Sequence, residues 1–377
     1  MIQLPPEFDD IRPYYDSEIP AAMERMASDP ILVPALMFVD RDMDVEAFKR
    51  KLRAIRTSDQ FQTEVMLPLC QSIVGKTMTG FTYAGVEHID GSYGTLYISN
   101  HRDIVMDAYL HQIALHAHHL ATCHITFGSN LMEPQFVVDF GMSNKMFKTD
   151  RKTSNMRSFL KSSKHLSAYI NYVVPHGESL WIAQRNGRTK DGFDRTDQGL
   201  IRMVMMSGNR KAQIEALHIT PLAISYQWEP CDILKAVELY RSMDGMPYVK
   251  AHGEDLQSII TGITSPKGNV HLEVGRPIDT SGFCDPLRRE DIQSVAAQID
   301  AQVWRGYKLW DTNYVAWDLL NDSSRFAGLY GPDIKEQFLA KMNRDVAGYP
   351  SLDPVKLREI YLKIYAGPVY NNPDALK

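Results

Sequence analysis

Apolar residues recur at helical spacing through the first fifth of the chain. Residues 45–55 (VEAFKRKLRAI) place them three and four apart, residues 64–74 repeat the pattern, and Ile19-Pro20 and Asp29-Pro30 mark helix starts. This predicts an N-terminal helical region over 1–79. At Gly80 the period changes. Residues 81–86 alternate, a Gly-containing turn (IDGSYG) follows, and 95–99 (TLYIS) is a short apolar strand. A helical run then reaches about His119. Strands are predicted at 122–127, 179–183, 219–226 and 270–274, and helices at 136–142, 156–172 and 199–206. Strands alternating with helices predict an α/β domain over 80–288, a mixed, largely parallel sheet flanked by helices. From Arg289 the pattern is helical to the end, a C-terminal helical region over 289–377. No internal repeat or low-complexity segment is visible.

Composition narrows the class. The chain has 377 residues, 44% hydrophobic and 23% charged, enough for a full core without disulfides or a structural metal. Lys and Arg number 41 against 46 Asp and Glu, so no basic surplus draws the chain to nucleic acid. Cys70, Cys123, Cys231 and Cys284 lie far apart with no CxxC, the expectation for reduced thiols in a cytoplasmic protein. The start, MIQLPPEFDDIRPYYD, has neither a basic n-region nor an apolar h-region, so no signal peptide is expected. The longest stretch free of Asp, Glu, Lys and Arg, 108–132, holds His111, His116, His118, His119 and His124 and is too polar to cross a bilayer. No second Cys or His cluster completes a tetrahedral zinc set, so these read as polar imidazoles on an amphipathic helix and no metal is expected. Residues 165–174 and Met203–Met206 are candidates for a membrane-seeking surface, although buried helix faces suit them better.

Ligands of α/β sheets sit beyond the carboxyl ends of the strands. After TLYIS comes Asn100-His101-Arg102-Asp103, with Asp107 six residues past the histidine. A carboxylate there would hold the ring in one tautomer and stabilise the imidazolium formed on proton abstraction. Asp103 is a rival partner, or a cap for the next helix. Lys148, Arg151 and Lys152 put three cations within five residues, suited to an anion such as phosphate or to a solvated basic turn. After residues 179–183 comes Gln184-Arg185-Asn186-Gly187-Arg188-Thr189-Lys190, where glycine permits close backbone approach and arginine grips phosphate or carboxylate with two donors. The run ITPLAISY is interrupted by Pro221, which by itself indicates a strand at an edge or a bulge.

In this order, NHRDIVMD (100–107), FKTDR (147–151), WIAQRNGRTKDG (181–192) and ITPLAISY (219–226) resemble the four blocks of the glycerolipid acyltransferase family. That family acylates glycerol 3-phosphate and lysophosphatidic acid. The resemblance spans roughly 80–280. It departs from the family in all of the first three blocks: five residues rather than four between His101 and Asp107, three rather than two between Phe147 and Arg151, and, in the third, Asn186 where the family has Glu with one residue fewer before Arg188. The resemblance implies a glycerophosphate acyltransferase-like fold. It also implies acyl transfer from acyl-CoA or acyl-carrier protein to a hydroxyl of lysophosphatidate or glycerol 3-phosphate. In that reading His101 is the general base and Asp107 its partner. Arg151, Gly187 and Arg188 hold the acceptor's phosphate with Lys148 beside them, and Pro221 shapes the site near the acyl chain. No cofactor is implied, and peripheral contact with the inner face of the membrane is. Two alternatives stay open: another hydroxyl acceptor such as an amino-acid lipid, and a non-catalytic acyl-binding scaffold. No Gly-x-Ser-x-Gly elbow is present, which argues against a serine hydrolase.

Overall fold

A computed structural model of the chain describes residues 2–39, 42–150, 155–243, 248–249, 251, 253–372 and 374–377. Seven strands form one sheet: β1 (Met78–Ala84), β2 (Leu96–Ser99), β3 (His124–Gly128), β4 (Met146–Thr149), β5 (Leu180–Ala183), β6 (Thr220–Tyr226) and β7 (Gly268–Val274). Their order is β1-β7-β6-β2-β5-β3-β4. Every adjacent pair is parallel except β6 and β7. The sheet is therefore mixed and mostly parallel, with helices on both faces.

The interior strands β2, β5 and β6 are buried along nearly their whole length, which is why they read as continuous apolar runs. Strand β7 alternates instead, with Val270, Leu272 and Val274 buried. Successive residues enter opposite cores. Leu96 and Ile98 meet Ile170 and Val173 of helix Met156–Val173 and Ile299 and Val303 of helix Arg289–Gly306. Tyr97 joins Met106, Leu110 and Ala114 of helix Met106–Ala117. The first helices build a separate cluster around Met23, Leu36, Leu52 and Phe61 that closes on Tyr109. The last three, Asp311–Leu320, Pro332–Ala347 and Pro354–Asn371, pack with helix Asp232–Ser242.

Several expectations change. Strand β4 was not visible in the pattern: it has four residues, lies at the sheet edge and carries Lys148, so the FKTDR block begins in a strand rather than a turn. Pro221 is in the interior strand β6, not at an edge. It fits because the β7 ladder starts one residue later, at Leu222↔Val274. The Pro221 carbonyl still accepts from the Gly275 N–H at 2.8 Å, and only the reciprocal bond, which proline cannot donate, is lost. The histidine cluster divides. His111 and His124 are buried, while His116, His118 and His119 are exposed. Among the described residues no group of three or more His, Cys, Asp or Glu is placed to hold a metal. Tyr169, Ile170, Val173, Val204 and Met205 are core residues, so the buried reading of those two segments holds, with Met206 alone clearly exposed. No helix among the described residues is long and apolar enough to cross a membrane.

Candidate active site

Strand β2 ends at Ser99 in the middle of the sheet. Asn100 carries the connection to β6 one step further with its side chain: Oδ1 accepts from the Ile224 N–H at 2.8 Å and Nδ2 donates to the Ile224 carbonyl at 2.9 Å. The chain then turns at the carboxyl edge and presents His101. Its Nδ1 lies 2.9 Å from Asp107 Oδ2, with the histidine side chain 8% and the aspartate 1% exposed. Asp107 is the second residue of helix Met106–Ala117, where the helix dipole favours a carboxylate. Its Oδ2 also accepts from the N–H groups of Arg102 (2.6 Å) and Asp103 (2.9 Å), and its Oδ1 from the Tyr226 hydroxyl (2.7 Å). Burial first, and then Asp107 itself, push the Tyr226 phenol well above its ordinary range, so it stays protonated and donates.

A carboxylate only accepts, so His101 Nδ1 carries the proton and Nε2 is the ring nitrogen with a free lone pair. Nε2 has no hydrogen-bond partner among the described residues. The ring sits edge-on to Trp181, centroids 5.7 Å apart. Asp103, the rival, caps the helix instead: its Oδ1 accepts from the N–H groups of Val105 and Met106, both at 2.8 Å.

The third block closes on the first. The Thr189 N–H donates to the His101 carbonyl at 2.7 Å. Gly187 has φ +77°, in the left-handed region, which lets the chain reverse so that Arg188 points inward. Arg188 is 7% exposed. Its Nη2 donates to Ser258 Oγ at 3.1 Å, and its buried Nη1 has no partner. No carboxylate among the described residues pairs with it, whereas neighbouring cations are neutralised: Lys190 pairs with Glu238, and Arg185 lies 3.9 Å from Asp191.

The other candidates sit elsewhere. Lys148 is half-buried on β4, three strands from β2, with Nζ 3.7 Å from Asp150 and no contact with the His101 pair. Arg151 lies outside the described residues. Asn186 is exposed. Pro221 is buried level with Ile98, one residue below the strand end; on the same strand it is Tyr226 that reaches the site. Sequence reasoning missed Asn100, Arg102, Tyr226 and Ser258. The first three lie inside the quoted blocks, where their chemistry could have been asked about. Ser258, on helix Glu254–Thr264, had no signal.

Residues 80–225 match the Acyltransferase family model. That span runs from β1 into β6 and contains the first three blocks and all of the fourth except Tyr226. Among solved structures, the 1-acyl-sn-glycerophosphate (LPA) acyltransferase PlsC from Thermotoga maritima is similar at 12% identity, over 74% of this chain and 92% of that chain, with a TM-score of 0.39. A search of curated proteins returns no match.

Proposed function

We propose that this chain, whose residues 80–225 match the Acyltransferase family model, moves a fatty acyl group from a thioester, acyl-CoA or acyl-carrier protein, to a hydroxyl of glycerol 3-phosphate or lysophosphatidate. One observation carries this reading. A buried His–Asp pair with Nε2 unengaged is joined, through the Thr189–His101 bond, to a buried arginine that has no counter-ion among the described residues. The pair suits a hydroxyl that must lose a proton, and the arginine suits an acceptor that carries phosphate.

Chemically, a thioester is already activated, so no enzyme nucleophile and no bound cofactor is required. His101 Nε2 takes the acceptor's hydroxyl proton as its oxygen attacks the thioester carbonyl. Such general-base help contributes typically ~10²–10⁴-fold. Asp107 keeps the ring oriented through the step, itself held by three donors besides the imidazole. The tetrahedral intermediate collapses, the C–S bond breaks, and the imidazolium returns its proton to the leaving thiolate. Arg188 grips the phosphate, with Gly187 giving the backbone its approach. Of the other candidates, Lys148 stands on β4 away from the His101 pair and Pro221 lies one residue below the strand end, so neither is given a role in the step.

Lysophosphatidate and a long-chain acyl product partition into bilayers, so the proposal includes peripheral contact with the membrane's inner face. The first two turns of helix Met156–Val173 support it. They expose Met156, Phe159 and Leu160 beside exposed Arg157 and Lys161, with Lys164 one turn on.

The test is thioester release by the purified chain, offered lysophosphatidate, glycerol 3-phosphate or an N-acyl amino acid with a free hydroxyl. Acceptor-dependent release that disappears in His101→Ala is expected. Undiminished release in that variant, or none from wild type with any donor and acceptor pair, overturns the reading. Preference for the N-acyl amino acid moves the acceptor to the amino-acid lipid class.

A further inference from the structure

We propose that a buried cluster of Lys235, Glu229, Arg102 and Asp194 is a positioning device for the His101–Asp107 pair. It acts through Lys235 on the Arg102 carbonyl and through Asp194 on Thr189. The inference rests on the acyl-transfer reading of that pair.

Two peptide groups flank Arg102. Both turn their N–H, Arg102 at 2.6 Å and Asp103 at 2.9 Å, onto Asp107 Oδ2. Both also have their carbonyl engaged from outside. The His101 carbonyl accepts from the Thr189 N–H at 2.7 Å. The Arg102 carbonyl accepts from Lys235 Nζ at 2.7 Å. Neither peptide can rotate without breaking bonds at both ends, and each bond polarises the next. The carboxylate that orients the His101 ring is thus aimed by groups far away in sequence.

The cluster behind them is electrically balanced. Lys235 pairs with Glu229 Oε1 at 2.5 Å, and Arg102 Nη1 reaches Glu229 Oε2 at 3.2 Å. Arg102 Nη2 donates to Asp194 Oδ2 at 2.6 Å and to the Gly192 carbonyl at 3.2 Å. All four side chains are 3% exposed or less. Two cations face two anions, so the group tolerates burial as a set, whereas losing one member leaves an uncompensated buried charge. Several bonds leave it for the loops that carry the chemistry. Lys235 holds the loop of His101, and Asp194 Oδ1 accepts from Thr189 Oγ1 at 2.7 Å in the loop of Arg188. Asp194 Oδ2 also accepts from Asn100 Nδ2 at 3.1 Å, one residue before His101. Helix Asp232–Ser242 supplies Lys235, so the geometry of the reacting pair is registered against the body of the protein.

The decisive variant is Lys235→Met combined with Glu229→Gln, which removes one charge of each sign. In the full chain it is expected to unfold cooperatively on heating. Its kcat for acyl transfer should fall about 10–100-fold while KM for the acyl donor stays within about twofold. The proton resonance of His101 Nδ1–H, assigned by its loss in His101→Ala, should shift or broaden. A folded double variant with wild-type kcat and an unmoved resonance overturns the proposal. If the double variant does not fold, Thr189→Val decides through the other arm without changing charge. A several-fold lower kcat restored in Thr189→Ser supports the device, and an unchanged kcat overturns it. If wild type transfers no acyl group at all, the acyl-transfer reading has failed on its own. The resonance then tests the positioning by itself, a shift in the folded variant supporting it and an unmoved line refuting it.

Discussion

Asp107 receives four donors and Arg188 offers a donor that nothing answers among the described residues, and the two residues make opposite demands on substitution. Asp107→Asn replaces an acceptor with an amide beside His101 Nδ1 and the N–H groups of Arg102 and Asp103, so the loop must rearrange and the imidazole loses its tautomer. The expected loss in kcat is on the order of 10³–10⁴-fold, with KM for the phosphate acceptor changed far less; steady-state kinetics in both substrates checks this. Arg188→Lys keeps the charge but removes the fork and the Ser258 bond. Here KM for the acceptor should rise at least about tenfold while kcat at saturation is nearly kept. A variant in which kcat falls and KM does not would place Arg188 at the reacting carbonyl rather than at the phosphate. The His–Asp spacing was legible because both partners lie within eight residues. The choice between Asp103 and Asp107 was not, since only the folded turn shows which carboxylate faces the ring and which caps the helix. Arg102, Asp194, Glu229 and Lys235 meet from places more than 130 residues apart at the extreme, with no spacing that periodicity could register.

Among the elements, legibility followed burial. Strands β2, β5 and β6 are interior and continuously apolar, and the pattern located each to within a residue or so. Strand β4 is an edge, four residues long, and pairs only with β3, so it carries no pattern of its own. Helices Asp232–Ser242 and Glu254–Thr264 went unread, although one supplies Lys235 and the other Ser258. Helix Met156–Val173 changes character along its length. Its second half buries Ser167, Tyr169, Ile170 and Val173. Its first turns stand exposed, with Met156 at 71%, Phe159 at 48% and Leu160 at 46%. It follows β4 in a parallel crossover, so those turns lie at the carboxyl edge, where His101 also sits. Apolar side chains ringed by Arg157, Lys161 and Lys164 match an anionic leaflet, each cation near the surface adding about 1 kcal/mol. The full chain is expected to pellet with phosphatidylglycerol vesicles and much less with phosphatidylcholine. Phe159→Glu with Leu160→Glu should reduce the bound fraction at least about tenfold while leaving turnover of glycerol 3-phosphate with a short-chain thioester intact. Equal pelleting of that variant and wild type would place the membrane contact on another surface.

At the scale of the whole molecule, the helical regions at either end are fastened to the central domain by specific contacts. Arg25 and Tyr14 meet Asp139 at 2.7 Å and 2.9 Å, and the Lys148 N–H donates to the Ile11 carbonyl at 2.8 Å. At the other end the helix Pro354–Asn371 lies on the loop of Arg188: Gly192, at φ +79°, and Gly367 pack backbone to backbone, and a Cβ on Gly367 would fall 2.5–2.7 Å from Gly192 atoms. What threatens this assembly most directly is acid. His111 is fully buried one turn beyond Asp107, edge-on to Tyr97 and 3.7 Å from Cys123 Sγ, and burial pushes its pKa down to about 3. Burial lowers that of His124 as well, against the pull of Glu178. A depressed histidine means the unfolded chain binds a proton that the folded chain refuses. Stability from His111 is therefore complete above its unfolded pKa of about 6.5 and drains away as pH falls toward 3. Between pH 6.5 and pH 4 the loss is roughly 3 kcal/mol for this one group, at about 1.4 kcal/mol per unit. Equilibrium denaturation of wild type and His111→Gln across that range is the measurement. His111→Gln cannot take up a proton, so its stability should fall less steeply with acid even if it starts lower at pH 7. Parallel curves for the two proteins would mean that another group governs acid unfolding. His124→Gln, whose neighbours include the Tyr169 hydroxyl at 2.9 Å, would then be the next to titrate.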